Sequence, residues 1–307
     1  MKIKKKYKAA VVQAAPVLFN KDACVQKIVK LSKEAAVQGA SLVVFPESFI
    51  PAYPRGLSFG TVVGSRTESG RDVWLRYFEN SIDAYGDEMH LLQETAKELG
   101  IFLVIGITEK DMQSGGTLYC SMVFIDASGK LLGVHRKLKP TGAERIIWGE
   151  GDGSSLKVYD TGLGKIGGLI CWENYMPLSR MALYQQGVQV YIAPTADARE
   201  TWQATMQHIA CEGRCFVLGC NQFVEKDMYP TEYLEELSNQ PEIMCKGGSS
   251  IYHPLGKVLA EPVYNEEKII LTEIDLDECT KAKMDFDVTG HYHRPDVFKF
   301  SYTKPTT

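Results

Sequence analysis

Lys165-Ile-Gly-Gly-Leu-Ile170, followed at once by Cys171-Trp-Glu-Asn174, reads as a short apolar strand that carries a thiol to its carboxyl end. The run is too short for a core helix and is rich in glycine and branched residues, which favours a buried strand. Pro177, a residue suited to a first helical turn, predicts a helix soon after it. A strand feeding a helix is the repeating unit of α/β architecture, and ligands collect at the carboxyl ends of such strands. A helix start also favours a thiolate, the reactive form of cysteine. A lone cysteine on a strand is ordinarily a core residue, so Cys171 needs support from elsewhere in the chain.

On both sides of this segment strand and helix alternate. Lys8 to Pro16 is a strand, and Asn20 caps a helix with Cys24, Ile28, Leu31 and Ala35 at helical spacing, stopped by Gly39. Ser41 to Phe45 is a strand ending in Pro46-Glu47. Ser48 to Gly86 reads as a long irregular segment shaping a substrate entrance. Met89, Leu92, Ala96 and Leu99 mark a helix, Ile101 to Ile107 a strand, and Leu118 to Asp126 with Leu131 to His135 a hairpin. Val188 to Ala193 and Cys215 to Gln222 are strands around a helix carrying Trp202, Met206 and Ile209, and Gly248 to Tyr252 and Lys268 to Ile274 close the domain. The pattern predicts two packed sheets with helices outside. No repeat or composition break divides the chain, and Asp285 to Thr307 reads as an aromatic tail that packs on something.

Composition narrows the function classes. The chain has 307 residues, 45% hydrophobic and 23% charged, with a net charge of −4, so a nucleic-acid partner has no electrostatic support. The basic start is followed by an apolar run broken by Gln13 and Pro16, which suits a strand better than a signal peptide. No run is long enough for a membrane span, and the expected location is the cytoplasm. Eight cysteines in a chain this long do not make a disulfide framework. Cys211, Cys215 and Cys220 invite a metal reading but lack paired short-spaced ligands, and buried reduced thiols are the plainer account. Gly167-Gly168 lacks the pattern of a nucleotide-binding loop.

Two further features support Cys171. Phe45-Pro46-Glu47-Ser48 sets a carboxylate directly after an apolar strand, and His135-Arg-Lys137-Leu-Lys-Pro-Thr141 sets a lysine after another. Separately, each reads as an ordinary loop residue. In this order, 90 residues from Glu47 to Lys137 and 34 from Lys137 to Cys171, they resemble the nitrilase branch of the carbon–nitrogen hydrolase superfamily. Residues 144–153, 193–199 and 290–296 extend the resemblance over essentially the whole chain.

That resemblance implies an αββα sandwich over residues 1–284, with 285–307 as a subunit-contact tail, and a Glu47–Lys137–Cys171 catalytic set joined by Glu144. It implies a homodimer that builds larger oligomers or filaments. The expected reaction converts a small organic nitrile to its acid and ammonia through a cysteine-bound thioimidate and thioester, with no metal or organic cofactor. Glu47 is the base if burial raises its pKa, Lys137 and the Trp172 N–H stabilise the charge that develops, and Glu144 orients Lys137 or a water. Tyr53, Trp172, Glu173 and Thr195 are candidate substrate contacts, although Tyr53 and Trp172 suit packing too, Thr195 a plain loop, and His135 a structural buttress. An amidase or a cyanide-hydrating enzyme of the same superfamily is the nearest rival, a non-catalytic or metal-binding relative a remote one. The segment from Glu225 to Cys245 reads as a solvated acidic loop, with a lid or interface role as the alternative.

Overall fold

The computed structural model describes residues 3–303. In chain order the elements are β1 (Lys6–Gln13), α1 (Lys21–Val37), β2 (Ala40–Val44), β3 (Thr61–Val62), β4 (Ser65–Arg66), α2 (Glu68–Asn80), α3 (Asp87–Leu99), β5 (Phe102–Lys110), β6 (Leu118–Ile125) and β7 (Leu131–Arg136). They continue with β8 (Tyr159–Thr161), β9 (Gly164–Gly168), α4 (Pro177–Tyr184), β10 (Val190–Pro194), α5 (Glu200–Gly213), β11 (Phe216–Cys220), β12 (Phe223–Glu225), β13 (Ile243–Tyr252), β14 (Val258–Tyr264), β15 (Lys268–Asp275) and α6 (Asp277–Ala282).

One sheet runs β15-β1-β2-β5-β6-β7; the other runs β12-β13-β11-β10-β9-β8, with β14 paired to β13. In β1, Tyr7, Ala9 and Val11 point into the layer between the sheets, where they join Ile166 of β9 and Ile192 of β10. Ala10 and Val12 point the other way, onto Ile28 of α1 and Leu92 of α3. On the second sheet Tyr191 and Val217 meet Leu183 of α4 and Met206 of α5. Strands covered on both faces have no use for alternating polar residues, which is why they read as continuous apolar runs. Three buried layers of side chains between four layers of structure make the αββα sandwich.

Local chemistry explains most boundaries. The Asn20 side chain accepts from Ala23 N at 3.0 Å to open α1. The hairpin of β6 and β7 turns over Asp126, whose Oδ1 accepts from Ser128 N at 2.8 Å. The segment from Ser48 to Gly86 differs from the expected irregular loop: it contains the two-residue strands β3 and β4 and the whole of α2. Thr67 caps that helix through Gly70 N at 3.0 Å, and Trp74 stacks on Phe78 with ring centroids 5.2 Å apart. Of its side chains only Tyr77 is buried, so its apolar face is narrow. The Glu225 to Cys245 segment is likewise less solvated than its charge suggested. Tyr229, Tyr233 and Leu237 are buried, and Glu236 accepts from both the amide and the hydroxyl of Ser58. β8 and β14, for which no strand was expected, lie at or beside the rim of the second sheet.

Among the described residues no helix is long and apolar enough to cross a membrane, and no group of three or more His, Cys, Asp or Glu is placed to hold a metal ion. Cys215 and Cys220 are buried, and the Cys220 thiol donates to Val44 O at 3.3 Å between the sheets. From Met284 to Phe298 the tail presents exposed apolar side chains, whereas Phe300 and Tyr302 fold back onto the outer face of the second sheet.

Candidate active site

Glu47 follows β2 by three residues. The connection is stitched to β5 by Phe45 N to Val104 O (2.8 Å) and Phe49 N to Gly106 O (2.7 Å), and it turns through Ser48 at φ +47°. The two backbones approach so closely that a Cβ on Gly106 would stand 2.1 Å from Pro46 O and 2.7 Å from Glu47 Cα. Only glycine fits there. Gln222 Nε2 also holds the Glu47 carbonyl at 2.6 Å.

Lys137 follows β7 directly and is anchored by its own N–H to Cys120 O at 2.8 Å. Its Nζ is fully buried and donates to Glu47 Oε1 and Glu144 Oε2, both at 2.7 Å. Glu144 sits in a short 3-10 turn, Gly142–Ile146, and its carboxylate also accepts from Thr141 N (2.6 Å) and Tyr53 OH (2.8 Å). A second thiol, Cys120, donates to Glu47 Oε1 at 3.5 Å. Lys137 and Cys120 both donate to Oε1, and among the described residues the other oxygen, Glu47 Oε2, is buried with no hydrogen-bond partner. An orphaned carboxylate oxygen in a dry site is a strong proton acceptor.

Cys171 enters the cluster at φ +49°, a left-handed conformation that L-residues rarely adopt. The neighbouring backbone over-determines it. Asn174 Nδ2 donates to Cys171 O (2.7 Å) and Leu169 O (3.0 Å), while its Oδ1 accepts from the buried Tyr191 hydroxyl at 2.8 Å. The Asn174 carbonyl is held by Arg180, itself paired with Glu212. The sulfur accepts from Thr195 Oγ1 at 3.1 Å, at the end of β10.

Glu173 departs from the expected substrate contact. Its buried carboxylate accepts from Ile170 N and Leu138 N, both at 2.7 Å, and from His135 Nε2 at 3.0 Å, facing away from the cleft. One side chain thereby ties the cysteine turn to the lysine loop, and His135 is the buttress of that tie. His135 Nδ1 faces Ser155 Oγ at 3.0 Å and the Ser155 carbonyl at 3.3 Å. Burial works against its charge, but Glu173 outweighs it and raises the His135 pKa above 6.5.

The electrostatics follow from two buried carboxylates sharing one ammonium. Burial pushes the Glu47 pKa up; Lys137 opposes this and the Glu144 charge adds to it. For Lys137, burial lowers the pKa, but Glu47 and the surrounding thiols and carboxylates carry it well upward, so it stays protonated. Burial, then the Glu47 charge, raise the Cys171 pKa too. Cys171 opens only a short 3-10 turn, Cys171–Tyr175, so a helix start lends the thiolate little support and burial favours the thiol. A proton passing from Cys171 to Glu47 moves the negative charge within the cluster without changing its total.

A cleft of about 700 Å³ opens onto Cys171 and Glu144 and is lined by Tyr53, Trp172, Ala196, Met244 and Lys246 among others. Trp172 is half-exposed; its Nε1 donates to Asp197 at 2.9 Å and the Arg199 guanidinium lies 4.7 Å from its ring. A second hollow of about 510 Å³ shares Tyr53, Arg55 and Glu144 with the first and continues to Trp148. The structure thus brings together Glu47, Lys137, Glu144, Cys171, Tyr53 and Thr195, and leaves Trp172 at the mouth. Sequence reasoning missed Asn174, Cys120, Arg55 and Lys246. Asn174 stood inside a quoted motif and Arg55 inside the long segment from Ser48 to Gly86, but nothing local marks Cys120 or Lys246.

The profile of the carbon–nitrogen hydrolases matches residues 8–284. A nitrilase of Bradyrhizobium diazoefficiens is 51% identical over 95% of this chain and 91% of its own length. A bifunctional nitrilase/nitrile hydratase of Nicotiana tabacum is 50% identical over 94% of this chain and 84% of its own. An aliphatic nitrilase of Sinorhizobium fredii is 48% identical over 96% and 94%. Among solved structures, Saccharomyces cerevisiae Nit3 superposes with a TM-score of 0.74 at 23% identity, covering 95% of this chain and 98% of that one. A carbon–nitrogen hydrolase of Helicobacter pylori does so with 0.75 at 21%, covering 96% and 97%. These two likenesses speak to the fold.

Proposed function

The chain belongs to the carbon–nitrogen hydrolase family and hydrolyses nitriles, and from there we propose that the reaction runs through Cys171 with Glu47, Lys137 and Glu144. The observation that carries this assignment is the orphaned Glu47 Oε2, buried beside a thiol with a raised pKa.

Glu47 takes the Cys171 proton as the sulfur attacks the nitrile carbon, and passes it to the nitrile nitrogen, giving a thioimidate. Lys137, held by two carboxylates, presents its ammonium to the nitrogen as charge gathers there, aided by the Trp172 N–H at the start of the 3-10 turn. A water deprotonated by Glu47 adds to the thioimidate carbon. The tetrahedral intermediate collapses with loss of ammonia, leaving a thioester. A second water, activated in the same way, releases the acid and returns the proton to Cys171, so that one nitrile and two waters give one acid and one ammonia. Glu144 fixes Lys137 and is itself fixed by Tyr53. Thr195 orients the sulfur, and Glu173 positions the two loops without touching substrate.

Cys171→Ala abolishes ammonia release from every nitrile hydrolysed by the wild type, and a mass adduct on intact protein with a slow nitrile disappears with it. Substantial residual turnover in that variant overturns the assignment. Running amides beside the nitriles, and measuring amide against acid in the product, separates the amidase and partial-hydration alternatives in the same assay.

The exposed Tyr292, Val297 and Phe298 support residues 285–303 as a contact between copies of the domain spanning 1–284, in a homodimer that builds larger oligomers. Eight free cysteines, seven of them buried, suit a reducing, cytoplasmic setting.

A further inference from the structure

Five charged side chains line the main cleft: Arg55, Glu144, Asp197, Arg199 and Lys246. Both carboxylates are committed. Glu144 holds Lys137, Tyr53 and Thr141 N, and Asp197 holds Arg199 and the Trp172 indole. The cations are not balanced in the same way. Neither Arg55 nor Lys246 has a carboxylate within ion-pair distance among the described residues. The Arg55 guanidinium donates to the Ala196 carbonyl and to the buried Cys245 sulfur, and it lies 5.3 Å from the Tyr53 ring. The Lys246 ammonium lies 5.0 Å from the Tyr264 ring. A carbonyl neutralises no charge, and withdrawing a guanidinium from water favours a counter-ion beside it. A guanidinium presents five N–H donors in a planar fork that matches a carboxylate, more than the two contacts of Arg55 use.

We propose that Arg55, assisted by Lys246, is a carboxylate-binding subsite, and that the preferred substrates are small aliphatic nitriles carrying a carboxylate a few carbons from the nitrile carbon. This rests on the nitrile-hydrolysis reading and specifies its substrate class. Arg55 and Cys171 line the same cleft of about 700 Å³, which keeps the spacer short. Because the anion is bound at a fixed remove from the sulfur, it aligns the nitrile for attack as well as retaining it.

The test compares ammonia release from ω-cyanobutanoate with release from pentanenitrile and from the methyl ester of the same cyano acid, on the full-length enzyme. In the wild type kcat/KM favours the anion by about 10- to 100-fold, the range of a charge-assisted contact, and the preference shrinks as salt is raised. Arg55→Gln and Lys246→Gln each lower the ratio of anionic to neutral kcat/KM, Arg55→Gln by more, and glutarate inhibits both variants less well than the wild type. Lys246 is half-exposed on a strand, so its variant keeps the test open if Arg55→Gln folds poorly. Hydrolysis of the neutral nitriles with a wild-type ratio at or below one, or an unchanged ratio in both variants, overturns this inference alone. Silence on every nitrile overturns the nitrile-hydrolysis reading, and the inference with it.

Discussion

The floor of the cleft and its wall obey opposite rules. On the floor each charge is answered: Lys137 by two carboxylates, Glu144 by three donors, Glu173 by two amides and a histidine. Among the described residues one carboxylate oxygen of this floor is left open, Glu47 Oε2, and it is the one the chemistry needs. On the wall Arg199 is paired with Asp197, but among the described residues Arg55 and Lys246 have no carboxylate within ion-pair distance. A network that is satisfied internally has a single arrangement and can be pre-organised for a reaction common to many substrates. Charges left open wait for a partner, and that partner selects the substrate.

Three perturbations separate floor from wall, taken from the strongest down. Glu47→Gln keeps the shape and removes the base, so kcat falls by about 10²–10⁴-fold for charged and neutral nitriles alike. In the wild type the acid limb of kcat/KM lies above the ordinary carboxylate value of 4.5, because burial raises Glu47 and the base works only when ionised. A pH–rate profile with its acid limb at or below that value contradicts this account.

Glu173→Gln breaks the tie between the cysteine turn and the lysine loop. With charge removed from three buried hydrogen bonds, stability falls by about 1.5–3 kcal/mol, read from the denaturant midpoint. Turnover drops about tenfold, the cost of loosened alignment between the two loops. The ratio of anionic to neutral substrate stays put, since the wall is untouched.

The smallest effect is on the pH dependence of stability. His135 has its folded pKa raised above 6.5, so its contribution is fully present below that value and is lost as pH rises through the folded pKa. His135→Asn therefore costs more stability at pH 6 than at pH 9. Thermal melts of both proteins across that window measure it, and a constant difference refutes it.

Much of the floor was readable from residue order. Glu47, Lys137 and Cys171 each follow an apolar strand, and their spacing carried the resemblance. What stayed hidden was relational. Glu173 lies beside the nucleophile in the chain, which suggested the pocket, but two amides and His135 claim its oxygens from the far side. Helix α2 buries one strong side chain, so its pattern of Val73, Trp74, Tyr77 and Phe78 was lost among glycines and arginines. Lys246 shows itself as part of a site only when β13 folds against the loop that bears Arg55.

Gly106 contributes no functional atom, yet the aim of the general base depends on it. The hydrogen in place of its side chain is the gap through which the Pro46-Glu47 backbone passes. A methyl group there, the mildest change chemistry offers, displaces the carboxylate as surely as replacing it. The accuracy of this active site is therefore guarded partly by an empty position on a neighbouring strand, and a screen for damaging substitutions would mark that silent residue alongside the reactive ones.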